Sequence, residues 1–146
     1  MEAEEQAILL DSCGSGDRAA VEKLLIGRAI DPSWVDSAGC GPLHHAAGNG
    51  HVDLCALLIE RQAQVRAVDG GGRAAMHRAC DGGHLEVCAL LVEFGADMNA
   101  ADAIGRTPLA HAAASTAPAA EELCEWLRHC GATLEATAPG DAATTE

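Results

Sequence analysis

Cysteine and histidine offer most of the chemistry in this chain, with seven of each. Cys40, His44 and His45 fall close together, and so do Cys124, His129 and Cys130. Thiolates and imidazoles in such groups are the usual donors to zinc, but a structural zinc needs four of them at about 2.0–2.3 Å, usually as two paired motifs. Neither group has a second tight pair nearby in sequence, so no metal is expected. Cys80 with His84 could in principle form an activated thiol nucleophile. No third residue to orient the imidazole and no oxyanion donor accompanies them, so no enzyme activity and no cofactor are expected. An odd number of cysteines, with no secretion signal at the start of the sequence, points to reduced thiols.

What positions these residues is a block of about 33 residues that recurs along the chain. Asp36, Asp69 and Asp102 open successive copies. The first runs Asp36-Ser-Ala-Gly-Cys-Gly-Pro-Leu-His44-His-Ala-Ala-Gly-Asn-Gly-His51, the second Asp69-Gly-Gly-Gly-Arg-Ala-Ala-Met-His77-Arg-Ala-Cys-Asp-Gly-Gly-His84. Ala29, Ala63, Ala96 and Ala132 keep the phase in steps of 34, 33 and 36. The longer last step places extra residues in Ser115–Ala120, between the helices of the final copy. Such a period marks a solenoid, in which each unit buries its apolar face only against its neighbours.

Within each copy, Val52-Asp-Leu-Cys-Ala-Leu-Leu-Ile59 and Leu85-Glu-Val-Cys-Ala-Leu-Leu-Val92 set apolar residues three and four apart, the spacing of an amphipathic helix. A helix this short is marginal alone in water, so it must pack. Gly50-His51 and Gly83-His84 break each helical pair, and Thr107-Pro108 supplies a cap and a first-turn proline. Residues 3–35 form a degenerate first unit, with helices over Ala7–Leu10 and Arg18–Ile26 separated by Gly14–Asp17. The units therefore run 3–35, 36–68, 69–101 and 102–136. Residues 137–146 lack apolar periodicity and are expected to be a disordered tail.

The pattern resembles the ankyrin repeat, whose mark is Thr-Pro-Leu-His-x-Ala at the start of the first helix. Gly41-Pro-Leu-His-His-Ala-Ala47 lacks only the threonine; Ala74-Ala-Met-His-Arg-Ala-Cys80 lacks threonine and proline; Thr107-Pro-Leu-Ala-His-Ala-Ala113 keeps both but moves the histidine by one. The resemblance covers roughly residues 7–136. It implies an all-α solenoid of four stacked helix-turn-helix units joined by β-hairpin loops, with no catalytic domain. It also implies that His44 and His77 bond nearby backbone and tie adjacent units together.

The repeat phase accounts for most thiols as core. Cys55, Cys88 and Cys124 share one inward position on the second helices, where Val21 stands in the first unit. Cys13 and Cys80 align with Ala47 and Ala113 on the first helices. Cysteine there acts as a small hydrophobe, and units about 10 Å apart keep these thiols from sharing an ion. Cys40, in a hairpin, and Cys130, before Gly131, are expected to be the exposed pair.

In proteins of this family the non-repeating residues of hairpin tips and inner helices form a concave ridge that binds other proteins. Carried over copy by copy, the ridge comprises Ser37, Ala38, Cys40, His45 and Asn49, then Gly70, Gly71, Arg73, Arg78 and Asp81, then Ala103, Ile104, Arg106, His111 and Ser115. Trp34 and Arg66 are expected to flank it, Trp34 as an aromatic anchor. Arg66, Arg73, Arg78 and Arg106 are four of the nine basic residues. Asp36, Asp69 and Asp102 read as structural, so a locally positive groove on an acidic body is expected, suited to carboxylate or phosphate. Gly70-Gly-Gly72 reads as an unusually bare and mobile hairpin, whose backbone is either open to close approach or simply loose. Asn99, with Leu91 and Asp97 ahead of it, has the spacing of ankyrin hairpins hydroxylated by a dioxygenase; backbone bonding is the commoner role of such an asparagine.

Composition narrows the partners. With nine Lys and Arg against 22 Asp and Glu, the net charge is −13, which argues against binding a phosphate backbone. No apolar run is long enough to span a bilayer. One Phe, two Trp and no Tyr leave a core of Leu, Ala, Val and Cys. The resulting expectation is a monomeric, non-enzymatic adaptor or scaffold that binds another protein, located in the cytoplasm or nucleus. A permanent assembly subunit or chaperone-like partner is the alternative.

Overall fold

A computed structural model describes residues 2–27 and 31–133 of the chain; the expected tail over 137–146 lies outside these described residues. Helical periodicity is realised as eight α-helices: α1 (Glu2–Ser15), α2 (Arg18–Glu22), α3 (Pro42–Gly48), α4 (Val52–Glu60), α5 (Ala75–Asp81), α6 (Leu85–Glu93), α7 (Pro108–Ala114) and α8 (Ala120–His129). A π-helical turn, Lys23–Gly27, extends α2. The first helix is longer than Ala7–Leu10 alone suggests, and Asp17 caps the second by accepting from the Ala20 amide at 3.1 Å.

Inner helices α1, α3, α5 and α7 pack in one row, and each pairs with an outer helix, α2, α4, α6 or α8. Between the rows lies one continuous core. Leu54, Leu58, Leu91, Leu123 and Leu127 are fully buried from the outer row, Leu9, Met76 and Leu109 from the inner. Each such side chain contributes about 1.5–3 kcal/mol by leaving water, which the isolated helices could not obtain. Position determines burial along the row. Ala47 and Cys80 are 0% exposed because the next unit covers them, whereas Ala113, in the same phase of the last unit, is exposed.

The longer last copy resolves partly where expected: of its three extra residues, two fall in the turn and one lengthens α8. Three residues separate α3 from α4 and α5 from α6, but Ser115–Ala119 separate α7 from α8. Ser115 organises this longer turn, accepting from the Ala117 amide at 3.1 Å and donating to the Asp81 carbonyl at 2.7 Å.

The connecting hairpins are turns rather than ladders. Among the described residues there is no strand, only an isolated antiparallel bridge between Val68 and Ala74. What holds the hairpins together is stacking. The Gly70 amide donates to the Ala38 carbonyl at 2.8 Å, and the Ala103 amide to the Gly71 carbonyl at 2.9 Å. Such close approach requires glycine: at Gly72 (φ +73°) an added Cβ would lie 2.7 Å from the Ala103 nitrogen. The Gly70-Gly-Gly72 hairpin is therefore stitched on both sides: of the two readings, close backbone approach holds and looseness does not. Smallness there serves contact with neighbours.

Candidate functional site

The site is built on the hairpin aspartates, each of which does two things. Its Oδ1 folds the hairpin: Asp36 accepts from the amides of Ala38 (2.9 Å) and Cys40 (3.0 Å), Asp69 from Gly71 (2.9 Å) and Arg73 (3.0 Å), Asp102 from Ile104 (3.0 Å) and Arg106 (2.9 Å). Its Oδ2 meets a basic side chain nine residues on, carried by the following inner helix. Asp36 meets His45 Nε2 at 3.3 Å, Asp69 meets Arg78 Nη2 at 2.9 Å, and Asp102 meets His111 Nε2 at 2.8 Å. The nine-residue spacing is present in the sequence, but reading the aspartates as structural and His45, Arg78 and His111 as ridge residues misses the pairing.

Burial opposes ionisation of Asp69. Donation by Arg78, the amides of Arg73 and Gly71, and the charge of Arg73 outweigh it and hold the carboxyl well below the usual range. Asp36 and Asp102 are likewise lowered: burial works against them, and hairpin amides with His45 or His111 prevail.

Histidines in the helix-start motif tie units together as expected. His44 Nδ1 accepts from the Gly41 amide at 3.2 Å, replacing the missing threonine cap, so Nε2 carries the proton and donates to the Arg73 carbonyl at 2.9 Å. His77 does the same from the Ala74 amide (3.1 Å) to the carbonyls of Ala100 (2.9 Å) and Arg106 (3.1 Å). Burial lowers both imidazole pKa values. His51 and His84 reach back to the carbonyls of Gly14 (3.0 Å) and Gly48 (3.1 Å).

Several ridge expectations are corrected by this geometry. Cys40 is 4% exposed, not an exposed thiol. Arg78 Nη2 lies 2.7 Å from its sulfur, and burial pushes the thiol up despite that charge. His111 is 6% exposed, bridging Asp102 to Asp81 (2.9 Å) with its ring 5.0 Å from that of His77. Arg66 is exposed, and its Nε donates to the Gly95 carbonyl at 2.7 Å, beside a separate cavity of about 210 Å³ lined by Val65, Val68 and Met76. The groove is thus less positive than counted, because Asp69 engages two of its arginines and Asp81 adds a carboxylate.

What remains accessible is smaller and sharper. Ser37, Ala38, Ile104 and Arg106 are exposed at the hairpins, Ile104 at 74%. Trp34 is half-buried. Arg73 is 39% exposed; its Nε faces Asp69 Oδ2 at 3.4 Å without a hydrogen bond. Between α3 and α5 a groove of about 350 Å³ is lined by His45, Asn49, Arg73, Arg78 and Asp81. The tempting donors do not converge: Cys40 faces Arg78, His45 faces Asp36, and His44 faces backbone.

The remaining thiols follow the repeat phase. Cys13, Cys55, Cys80, Cys88 and Cys124 are buried and Cys130 is exposed. Burial pushes Cys13 and Cys55 up to about 12, and the Cys80 and Cys88 sulfurs touch at 3.6 Å in the core. Thiols so held are packed as small hydrophobes. Asn99 joins the third hairpin to the loop after α8, its Oδ1 accepting from the Thr133 amide at 2.9 Å and its Nδ2 reaching the Gly131 carbonyl at 3.5 Å.

Stacked helical hairpins, joined by turns that project an exposed ridge, define a repeat-type protein-interaction fold. A family model described as "Ankyrin repeats (3 copies)" matches residues 8–102 and 64–138, and the chain belongs to the ankyrin-repeat family. It is similar to human Ankyrin repeat domain-containing protein 39, 48% identical over 50 residues, which cover 34% of this chain and 27% of that protein. It is also similar to Espin-like protein from human (37% over 57 residues, 39% of this chain) and mouse (38% over 61 residues, 42% of this chain), covering 6% of each. The matched stretch is thus a minor part of each relative's length. Ankyrin repeats generally serve protein–protein interaction, and no described helix is long and apolar enough to cross a membrane.

Proposed function

We propose that the chain is a non-enzymatic adaptor whose hairpin and inner-helix ridge binds an acidic segment of another protein. The observation that supports this most is the contrast between Arg73 and Arg106 and their surroundings. On a chain of net charge −13, Arg106 is exposed and makes no side-chain hydrogen bond or ion pair among the described residues. Arg73, one repeat earlier on the same hairpin position, shares a carboxylate that Arg78 already holds. Guanidinium groups so placed present planar donors to a partner's anions, and Ile104 beside them adds an apolar contact. The ridge is polar and built from small hairpins, which favours a transient contact over a permanent assembly.

Affinity capture from native lysate identifies the partner, and the double variant Arg73→Glu with Arg106→Glu tests the mode. Capture should be lost while the helical circular dichroism spectrum is retained. A partner held equally well by the reversed ridge removes this reading.

A further inference from the structure

The groove between α3 and α5 carries a more specific chemistry, one that rests on the ridge reading above. Arg78 is committed: one Nη2 serves both Asp69 Oδ2 at 2.9 Å and the Cys40 sulfur at 2.7 Å. Arg73 is not. Its inner edge lies against Asp69 at 3.4 Å, no hydrogen bond engages its side chain among the described residues, and 39% of that side chain meets solvent. Two guanidinium groups therefore share one buried carboxylate, leaving one positive charge at the groove wall. The same groove is lined by Asp81, 49% exposed, and by His45, which pairs with Asp36.

We infer that this groove takes a single carboxylate side chain from the partner segment, gripped by the Arg73 fork, and rejects a phosphomonoester. The fork matches a carboxylate with two parallel hydrogen bonds. One monoanion matches the single charge of Arg73, the guanidinium that no hydrogen bond engages among the described residues. A phosphomonoester brings about −1.5 to −2 at neutral pH, more than Arg73 offsets, in a groove of about 350 Å³ whose lining already carries the Asp81 carboxylate. The partner's recognition element is thus an aspartate or glutamate, not a phosphorylated serine or threonine.

The test uses N-acetyl-glutamate amide and N-acetyl-phosphoserine amide titrated into the isotope-labelled full chain at neutral pH. The NMR signals followed are the Arg73 Nε–H and the amides of Gly48, Asn49 and Gly82. The glutamate probe should shift these signals with a dissociation constant about tenfold below that of the phosphoserine probe. Arg73→Gln should weaken the glutamate probe about tenfold, and Arg73→Lys should weaken it too, because an ammonium lacks the fork. Asp81→Asn, which keeps an acceptor for His111, should strengthen the phosphoserine probe selectively. Equal or tighter phosphoserine binding, no shift with glutamate, or indifference to Arg73→Gln would each overturn the inference. If capture is lost in the charge-reversed double variant while the probes behave this way, only the carboxylate assignment fails. If capture survives that variant, the ridge reading itself fails.

Discussion

Arg78 and Asp69, nine residues apart, close a contact at 2.9 Å in which the carboxylate is 1% exposed and the guanidinium 28%. The same step joins His111 to Asp102 at 2.8 Å and His45 to Asp36 at 3.3 Å. Each hairpin is thereby pinned to its own inner helix, and the ridge inherits its shape from these pins. Arg78 also crosses to Cys40 of the preceding unit, so the second pin doubles as a link between units.

Asp69→Ala should be the most damaging single change on the ridge. It removes both hairpin hydrogen bonds and leaves Arg78 without its carboxylate, a loss of about 3 kcal/mol. Urea unfolding measures it, and a loss under about 1 kcal/mol would mean that the contact is incidental.

Acid should weaken the fold in two stages. His44 and His77 have lowered pKa values when folded, so the unfolded chain binds more protons below its ordinary histidine pKa. Their contribution is present above about 6.5 and falls as pH drops through that value. Asp36, Asp69 and Asp102 are also lowered. Their stabilisation is present above about 3.9 and is lost as pH falls further, toward their folded values. Urea midpoints taken from pH 8 to 3 should show both stages, and His77→Gln should diminish the first. A single late transition in both proteins would refute the histidine part.

Gly72→Ala should cost about 2 kcal/mol, from a left-handed backbone angle together with the approach of its Cβ to the Ala103 nitrogen. Gly95→Ala has the same kind of angle (φ +98°) but open space around it, so only the angle counts, about 1 kcal/mol. Calorimetric melting of the two variants should preserve that order.

Thr107 is fully buried, accepts from the Ala110 amide at 3.3 Å and donates to the Thr133 carbonyl at 2.6 Å. Thr107→Ala should cost about 1–2 kcal/mol. The reciprocal change, Ala74→Thr, puts a cap where α5 has no side-chain cap and should stabilise by about 1 kcal/mol. A lower melting temperature for Ala74→Thr would show that the His77 arrangement leaves no room for it.

Asn99 is expected to be unmodified, since its amide already bonds backbone at Gly131 and Thr133. Intact-mass measurement of native protein, with the gain of one oxygen atom localised to Asn99, is the contrary result.

Much of this was readable along the chain. The period of Asp36, Asp69 and Asp102 gave the stacking, and the four-residue spacing of Leu54 and Leu58, and of Val87 and Leu91, gave the buried faces. The thiols of Cys13, Cys55, Cys80, Cys88 and Cys124 followed from phase, because a residue's position within its own unit fixes which way it faces. His44 and His77 were legible for the same reason, each capping its own helix three residues back.

The ridge was less legible, because its exposure is decided by side chains from the neighbouring unit. Cys40 looked exposed on its own hairpin and is covered by Arg78, 38 residues later. Arg66 remains exposed but donates to the Gly95 carbonyl, 29 residues on, in the next unit. His111 is buried between one acid of its own unit and Asp81 of the unit before. A linear pattern determines how each unit folds and which face it must bury. Only when units stack does one unit's arginine find another's thiol or carbonyl, and that meeting decides which charges remain for a partner.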